Sequence, residues 1–425
     1  MRRTSPPNSP TPSPSRARQS LTVANEPQAV SEASPRASDE PRPFAAFQND
    51  IYLGGVAGAR PSIPLTALGL EARARELLSA EAFGYVAGGA GSEATIAANR
   101  AALDRRQLIP RHLGGVASRS LETELLGTRL PAPFLLAPIG AIGIVHAEGE
   151  LGVAAAARAT GVPFILSTVS SNSMESVAAA AGDVPRWFQL YWPRDPDLCR
   201  SLVVRAEAAG YGAIVLTIDT WQLAWRPRDL EHGFLPFLHG DGIANYVTDP
   251  VFRAQLPVPP EEDPRPAIAR WAEVFANPAL TWADLPMLRE ITSLPILLKG
   301  IQHPDDARRA LESGVDGIVV SNHGGRQVDG AIGSLDALPG VVEVITGRIP
   351  VLFDGGVRGG ADVLKAIALG ARAVLIGRPC AYALGIGGSA TLTDFLRGFL
   401  ADLEITMGLC GLQRPADATP ALLTA

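Results

Sequence analysis

The residues of this chain that could do chemistry fall in short clusters, each following an apolar run. His323 stands in Ser321-Asn322-His323-Gly324-Gly325-Arg326, and Asp219 closes the run AIVLTID, with Arg226 seven residues further on. A histidine held by a carboxylate in one tautomer is a general base. Arg226 and Arg326 are two guanidinium forks of the kind that grip a carboxylate. Asp354-Gly355-Gly356-Val357-Arg358, followed by Gly377-Arg378, has the makings of a phosphate cradle. There the glycines let backbone N–H groups approach, and an arginine adds charge-assisted hydrogen bonds. Of 37 basic residues only Lys299 and Lys365 are lysine, and Lys299 closes the run PILLK. A fixed cation at that point suits an anionic ring system, so a phosphate-bearing redox cofactor such as FMN fits both features. With Tyr191 added, a base, two carboxylate clamps and a flavin point to oxidation of a 2-hydroxy acid.

These clusters need a scaffold that brings them to one rim. Strand-like runs end at Gly140, Thr168, Tyr191, Asp219, Gly300, Asn322, Gly356 and Arg378, with helical patterns such as EGELGVAAAARAT and PDDARRALESG between them. Near-continuous apolar strands alternating with helices mean a parallel sheet covered on both faces. Eight such units predict a single α/β (β/α)8 TIM barrel preceded by a helical segment, with its chemistry at the C-terminal strand ends. A doubly wound sheet is the weaker reading, because Pro138-Ile139-Gly140-Ala141 stands where a GxGxxG turn would be needed. The long interval between Asp219 and Gly300 implies an excursion over 221–285, either a lid or a packed subunit contact.

Length and composition narrow the classes. The 425 residues carry a formal net charge of −6, which disfavours a nucleic-acid binder. Cys199, Cys380 and Cys410 have no ligand-like spacing, so neither a disulfide scaffold nor a metal site is expected, and a reducing, cytoplasmic setting is. Residues 1–43 are rich in Pro and Ser and too poor in apolar side chains to offset their ordering entropy, so they read as a disordered tail. The domain is expected over 44–415, with a C-terminal tail at 416–425. The most apolar stretch, Leu130–Val145, is broken by Pro131, Pro133 and Pro138 and does not read as a membrane span.

The SNHGGRQ stretch at 321–327 resembles the signature of the FMN-dependent 2-hydroxy-acid oxidase and dehydrogenase family. Tyr85, in YVAGGAGSEATIAANR, is similar to a segment that precedes that family's barrel, and the resemblance spans roughly 45–415. Within the family, PIGAIGI at 138–144, DTWQLAWRPRDL at 219–230 and NYVTDPVF at 245–252 are nearest to the lactate 2-monooxygenase branch. The resemblance implies that His323 takes the substrate hydroxyl proton while hydride passes to the flavin, or takes the Cα proton in a carbanion version. Asp219 would pair with His323, Arg226 and Arg326 would hold the substrate, and Tyr85 and Tyr191 would bond its carboxylate and hydroxyl. Lys299 would sit at the N1–C2=O edge of the flavin. Ser167, Gln189, Thr217, Ser321 and the backbone at Ile139–Gly140 would contact ring or ribityl atoms. Asp354, Gly356, Arg358, Gly377 and Arg378 would bind ribityl and phosphate. Ile139-Gly140 replaces the Thr-Ala of glycolate oxidase-like members, and the glycine is expected to loosen packing beside N5. A homotetramer or homo-octamer is also implied. The excursion carries PVPPEEDPRP instead of a basic amphipathic run, so membrane attachment is not expected.

Three readings follow. The first is oxidative decarboxylation of L-lactate with O2 to acetate, CO2 and water, which needs slow product release. The second keeps the same site but releases the 2-oxo acid early, together with H2O2. The third, a non-redox barrel binding a phosphorylated ligand, would leave His323, Asp219 and the two arginine clamps without work.

Overall fold

The structure, a computed structural model, describes residues 42–424. The expected disorder of 1–43 therefore concerns residues that lie, apart from Arg42 and Pro43, outside the described span. Four helices lead in: α1 (Ala46–Val56), α2 (Ala67–Leu77), α3 (Ala80–Ala87) and α4 (Ala94–Arg105). Side-chain caps start two of them, with Thr66 accepting from Gly69 N and Ser79 from Ala82 N. A two-stranded antiparallel hairpin, Thr123–Leu125 with Thr128–Leu130, precedes the barrel.

Eight parallel strands then close on themselves: β1 (Phe134–Leu136), β2 (Phe164–Ser167), β3 (Arg186–Leu190), β4 (Ile214–Thr217), β5 (Ile296–Ile301), β6 (Gly317–Val320), β7 (Val351–Phe353) and β8 (Ala373–Ile376). Each pairs with its sequence neighbours, and β8 closes against β1 through Val374–Phe134 and Ile376–Leu136. The expected (β/α)8 barrel is the observed fold.

The strand residues divide into two buried clusters by pleat. Leu135, Ile165, Trp187, Val215, Leu297, Val319, Leu352 and Leu375 fill the inside of the barrel. Their neighbours in sequence, such as Phe134, Phe164, Phe188, Leu216, Leu298 and Phe353, pack outward against the helices. Burial on both faces explains why these strands are apolar throughout and do not alternate.

Two boundaries differ from the sequence reading. The segment set apart as a C-terminal tail packs against the body. Leu423 bridges Leu108, Leu422 and Leu423 are buried, and short 3-10 turns form at Pro415–Asp417 and Pro420–Leu422. Two adjacent leucines, Leu422 and Leu423, were enough to anchor it. The excursion at 221–285 is built of short helices whose Phe237, Tyr246, Phe252 and Trp271 belong to the main core, so most of it is a packed cover.

Leu352→Ala at the barrel centre should destabilise the fold by about 2–5 kcal/mol through lost burial and a residual cavity. Chemical denaturation followed by circular dichroism measures this.

Candidate active site

The pleat that fills the barrel also builds the site. Two residues beyond each interior apolar residue, the next inward position lies at the C-terminal rim. Ile165 leads to Ser167, Trp187 to Gln189, Val215 to Thr217, Leu297 to Lys299, Val319 to Ser321, Leu352 to Asp354 and Leu375 to Gly377. The top layer of the barrel is thus a buried polar ring lying on an apolar plug. Above it opens a cavity of ≈ 1360 Å³, counted to its solvent mouth. Of the sequence candidates, its walls take Tyr85, Ile139, Gly140, Tyr191, Arg226, Lys299, His323, Arg326, Asp354, Gly356, Arg358, Gly377 and Arg378. Asp219, Ser167, Gln189, Thr217 and Ser321 stand behind that wall and hold it in place.

His323 Nδ1 lies 2.8 Å from Asp219 Oδ1 and 3.0 Å from Thr220 Oγ1. Thr220 donates to the same carboxylate oxygen at 3.0 Å. The Nδ1–H therefore points at the carboxylate, and the lone pair of Nε2 is left for a substrate proton. Burial pushes the His323 pKa below its ordinary value, helped by the Lys299 and Arg226 cations and opposed by Asp219. Burial acts to raise the Asp219 pKa, but His323, Lys299 and the Thr220 hydrogen bond outweigh it and keep the carboxyl ionised.

The turn that carries His323 is itself special. His323, Gly324 and Gly325 all have positive φ, at 56°, 63° and 79°, a run that side chains rarely sustain. A Cβ on Gly325 would meet the Ile96 backbone nitrogen at 2.7 Å. Asn322 closes the turn by accepting from Gly325 N at 3.1 Å and is locked by paired amide bonds to Asn99.

Lys299 is buried, 3.1 Å from Asp354 Oδ2 and 3.1 Å from Ser321 Oγ. Burial alone would lower its pKa, but the carboxylates of Asp354 and Asp219 hold it above the ordinary value. Arg226 is pushed down to about 10 by burial and by neighbouring Arg326. It donates from Nε to Arg326 O and from Nη2 to Gln327 Oε1. Arg326 lies over the Tyr85 ring, 5.1 Å from its centroid, and donates from Nη1 to Tyr85 O and Gly88 O. Burial raises the pKa of both Tyr85 and Tyr191, so each phenol stays a hydrogen-bond donor.

The residues fit FMN on two independent observations. Gln189 Nε2 and Asp354 Oδ1 are buried and have no hydrogen-bond partner in the protein. Such a group costs about 1–3 kcal/mol when left unpaired, and a flavin carbonyl and a ribityl hydroxyl are the acceptor and donor required. Lys299 supplies the cation for the ring, and Arg358 lies on the cavity wall beside the glycines of the cradle.

Gly140 departs from its expected role. A Cβ there would meet Val169 Cγ2 at 2.5 Å, so the space that the glycine leaves is filled by Val169. Sequence reasoning also missed Thr220, Gln327 and the apolar wall made by Val169, Leu223, Phe237 and Phe275. Thr220 directly follows Asp219 and Gln327 closes the signature stretch, so both had a local signal. Phe237 and Phe275 had none, since only the folded excursion brings them over the rim.

Barrel and rim together define a flavin-dependent oxidoreductase of 2-hydroxy acids. A family model described as FMN-dependent dehydrogenase matches residues 74–425, and the chain belongs to that family. It is 46% identical over 378 residues to the FMN-dependent alpha-hydroxy acid dehydrogenase qulF of Penicillium citrinum, covering 88% of this chain and 94% of that protein. It is 44% identical to an L-lactate oxidase of Lysinibacillus sphaericus, over 85% of this chain and 93% of the other. A solved structure of mandelate oxidase superposes with a TM-score of 0.75 at 40% identity, over 85% of this chain and 98% of that one. The cofactor is FMN.

Because the His323 pKa is lowered, its base form persists below the ordinary value of about 6.5 and is lost only as pH falls through a lower midpoint. A pH profile of kcat/KM should therefore show an acid limb centred below about 6.5. Asp219→Asn should slow anaerobic flavin reduction in stopped flow on the order of 10²–10⁴-fold.

Proposed function

We propose that the enzyme oxidises a small (S)-2-hydroxy acid, foremost L-lactate, with O2, and completes the reaction inside the site to give acetate, CO2 and water. The observation that carries this reading is the cover over the rim. Leu223, Phe237 and Phe275, all from the excursion, wall the cavity, and Phe237 stacks within a cluster with Trp271 and Phe275 at 4.7 and 6.3 Å. A cover whose side chains are part of the core favours slow exchange of a small product.

When bound, FMN supplies the two-electron acceptor and the means of passing those electrons to O2. The chain's residues do the rest. Arg226 and Arg326 hold the substrate carboxylate, Tyr85 and Tyr191 donate to its oxygens, and Nε2 of His323 receives the hydroxyl proton. Asp219, an anion 2.8 Å from Nδ1, compensates the charge of the resulting imidazolium. Lactate and O2 together contain the atoms of acetate, CO2 and one water, and equally those of pyruvate and H2O2. The outcome depends on whether pyruvate leaves before the peroxide reacts with it. The L-lactate oxidase relative favours early release as the second reading. We place the enzyme in the cytoplasm as a homo-oligomer, a tetramer or octamer. Buried free thiols at Cys199, Cys380 and Cys410 suit a reducing compartment, and exposed Tyr52, Leu53 and Val56 on α1 suit a subunit contact. Among the described residues no helix is long and apolar enough to cross a membrane.

Aerobic L-lactate turnover with excess catalase should yield acetate in step with O2 consumed, because catalase removes free H2O2 before it can decarboxylate free pyruvate. Accumulating pyruvate would establish the oxidase outcome instead. His323→Ala should retain FMN yet lose reduction of the flavin by L-lactate, and full-rate reduction in that variant would remove His323 from its assigned role.

A further inference from the structure

Lys365, the second of the chain's two lysines, has no part in the site described so far. It lies in the helix Gly360–Ala368, which follows β7 and the cradle. Its Nζ donates at 2.9 Å to Leu103 O, in the last turn of α4, where unpaired carbonyls and the helix dipole favour a cation. The same Nζ stands 3.9 Å from Asp362 Oδ1. Asp362 is buried, and its other oxygen accepts from Arg358 N at 2.9 Å and from Arg100 Nη1 at 2.7 Å. Arg100, also on α4, donates from that nitrogen to Gly356 O at 2.6 Å as well. One buried carboxylate and two cations thus join α4 to both ends of Gly356-Val357-Arg358.

A trans peptide points its C=O and the following N–H in opposite directions. The bond from Arg100 to Gly356 O therefore turns the Val357 N–H the other way, and among the described residues this N–H has no acceptor. The bond from Arg358 N to Asp362 fixes the next peptide. Such pins matter because Gly355 and Gly356 have φ of 114° and 89°, and glycine leaves its peptides free to turn over. Turned over, the peptide after Gly356 would offer an anion a carbonyl oxygen in place of an N–H.

We infer that Arg100, Asp362 and Lys365 are positioning residues, which set the main chain of the cradle to receive a phosphate. Neither Lys365 nor Asp362 is on the cavity wall, so both act through Arg100 and through the main chain. The inference rests on the reading of this glycine segment as the phosphate site.

The test strips full-length parent, Arg100→Met, Lys365→Met and Arg358→Met enzymes of flavin. Each is titrated by fluorescence with FMN and with riboflavin, which lacks the phosphate, and amide hydrogen exchange is followed by mass spectrometry. The parent should prefer FMN. Arg100→Met should weaken FMN binding roughly tenfold or more and Lys365→Met roughly threefold or more, while riboflavin stays within about twofold of the parent in both. Amides of 356–358 should exchange faster in these two variants, and those of 317–320, in β6, should keep the parental rate. Equal losses of FMN and riboflavin would mean a general loosening of the fold and would overturn the proposal. So would an FMN loss confined to Arg100→Met with exchange at 356–358 unchanged, since Arg100 would then be a direct phosphate ligand. Should Arg100→Met fail to fold, Lys365→Met decides alone, and a parental FMN preference in it counts against the network. The reading of the cradle is checked separately. A parent that binds both flavins equally, with Arg358→Met no different, refutes that reading and the inference with it. If Arg358→Met loses the FMN preference and the other two variants keep it, the cradle stands and only the inference falls.

Discussion

Everything at this site depends on the two-residue repeat of eight β-strands held in one register. Lys299 and Asp354 meet at 3.1 Å only because Leu297 and Leu352 point into the barrel two residues earlier. A slip of one residue in β5 would turn Lys299 outward into the helix layer and bring Leu298 to the rim. That slip is costly, because each strand buries both of its faces and would exchange two fitted sets of side chains at once. The packing that stabilises the barrel is therefore the device that aims the polar ring. The one irregularity, a shift between Lys299 and Ile301, falls at Gly300, where the Asp219 carboxyl packs against the strand within 3 Å of a Cβ position.

On that ring the charges are unequal, and the inequality is chemical information. Arg226, Lys299, Arg326 and Arg378 gather at the rim against the carboxylates of Asp219 and Asp354. A buried surplus of cations is unfavourable by itself and becomes favourable when anions enter. The phosphate and ring of FMN and the carboxylate of a 2-hydroxy acid are such anions. The depressed pKa of Arg226 reflects the same surplus, since burial and Arg326 both disfavour its charge until a substrate arrives. His323 is kept neutral by this setting while Asp219 is kept ionised, which is the division of labour a general base needs.

Much of this was legible from residues alone, for identifiable reasons. The eight strands announced themselves because burial on both faces leaves uninterrupted apolar runs, and the polar residues closing those runs had to lie on one rim once the runs formed a barrel. The turn at His323 was legible because three consecutive left-handed residues demand Gly324 and Gly325. Less legible was how far the Arg378 side chain reaches: it lines the cavity beside the cradle and also donates to carbonyls at the end of α3. Gly140 hid a contact in a similar way. The absence of a side chain looked like empty space, and Val169, on the neighbouring strand's loop, fills it. The C-terminal segment was taken for a tail because few apolar residues mark it, yet Leu422 and Leu423 suffice when a complementary surface at Leu108 is waiting.

By itself the sequence determined the barrel, the histidine, carboxylate and arginines that close its strands at one rim, and the cofactor class. Each of these depends on local period, on turn chemistry or on residue type, which are properties of short segments. Only the tertiary structure decided which carbonyls the rim arginines meet. The same holds for the aromatic residues of the 221–285 excursion that wall the cavity and for what occupies the space over Gly140. Those are contacts between elements remote in the chain. They follow from how volumes and unpaired polar groups meet after folding, and no local pattern encodes them.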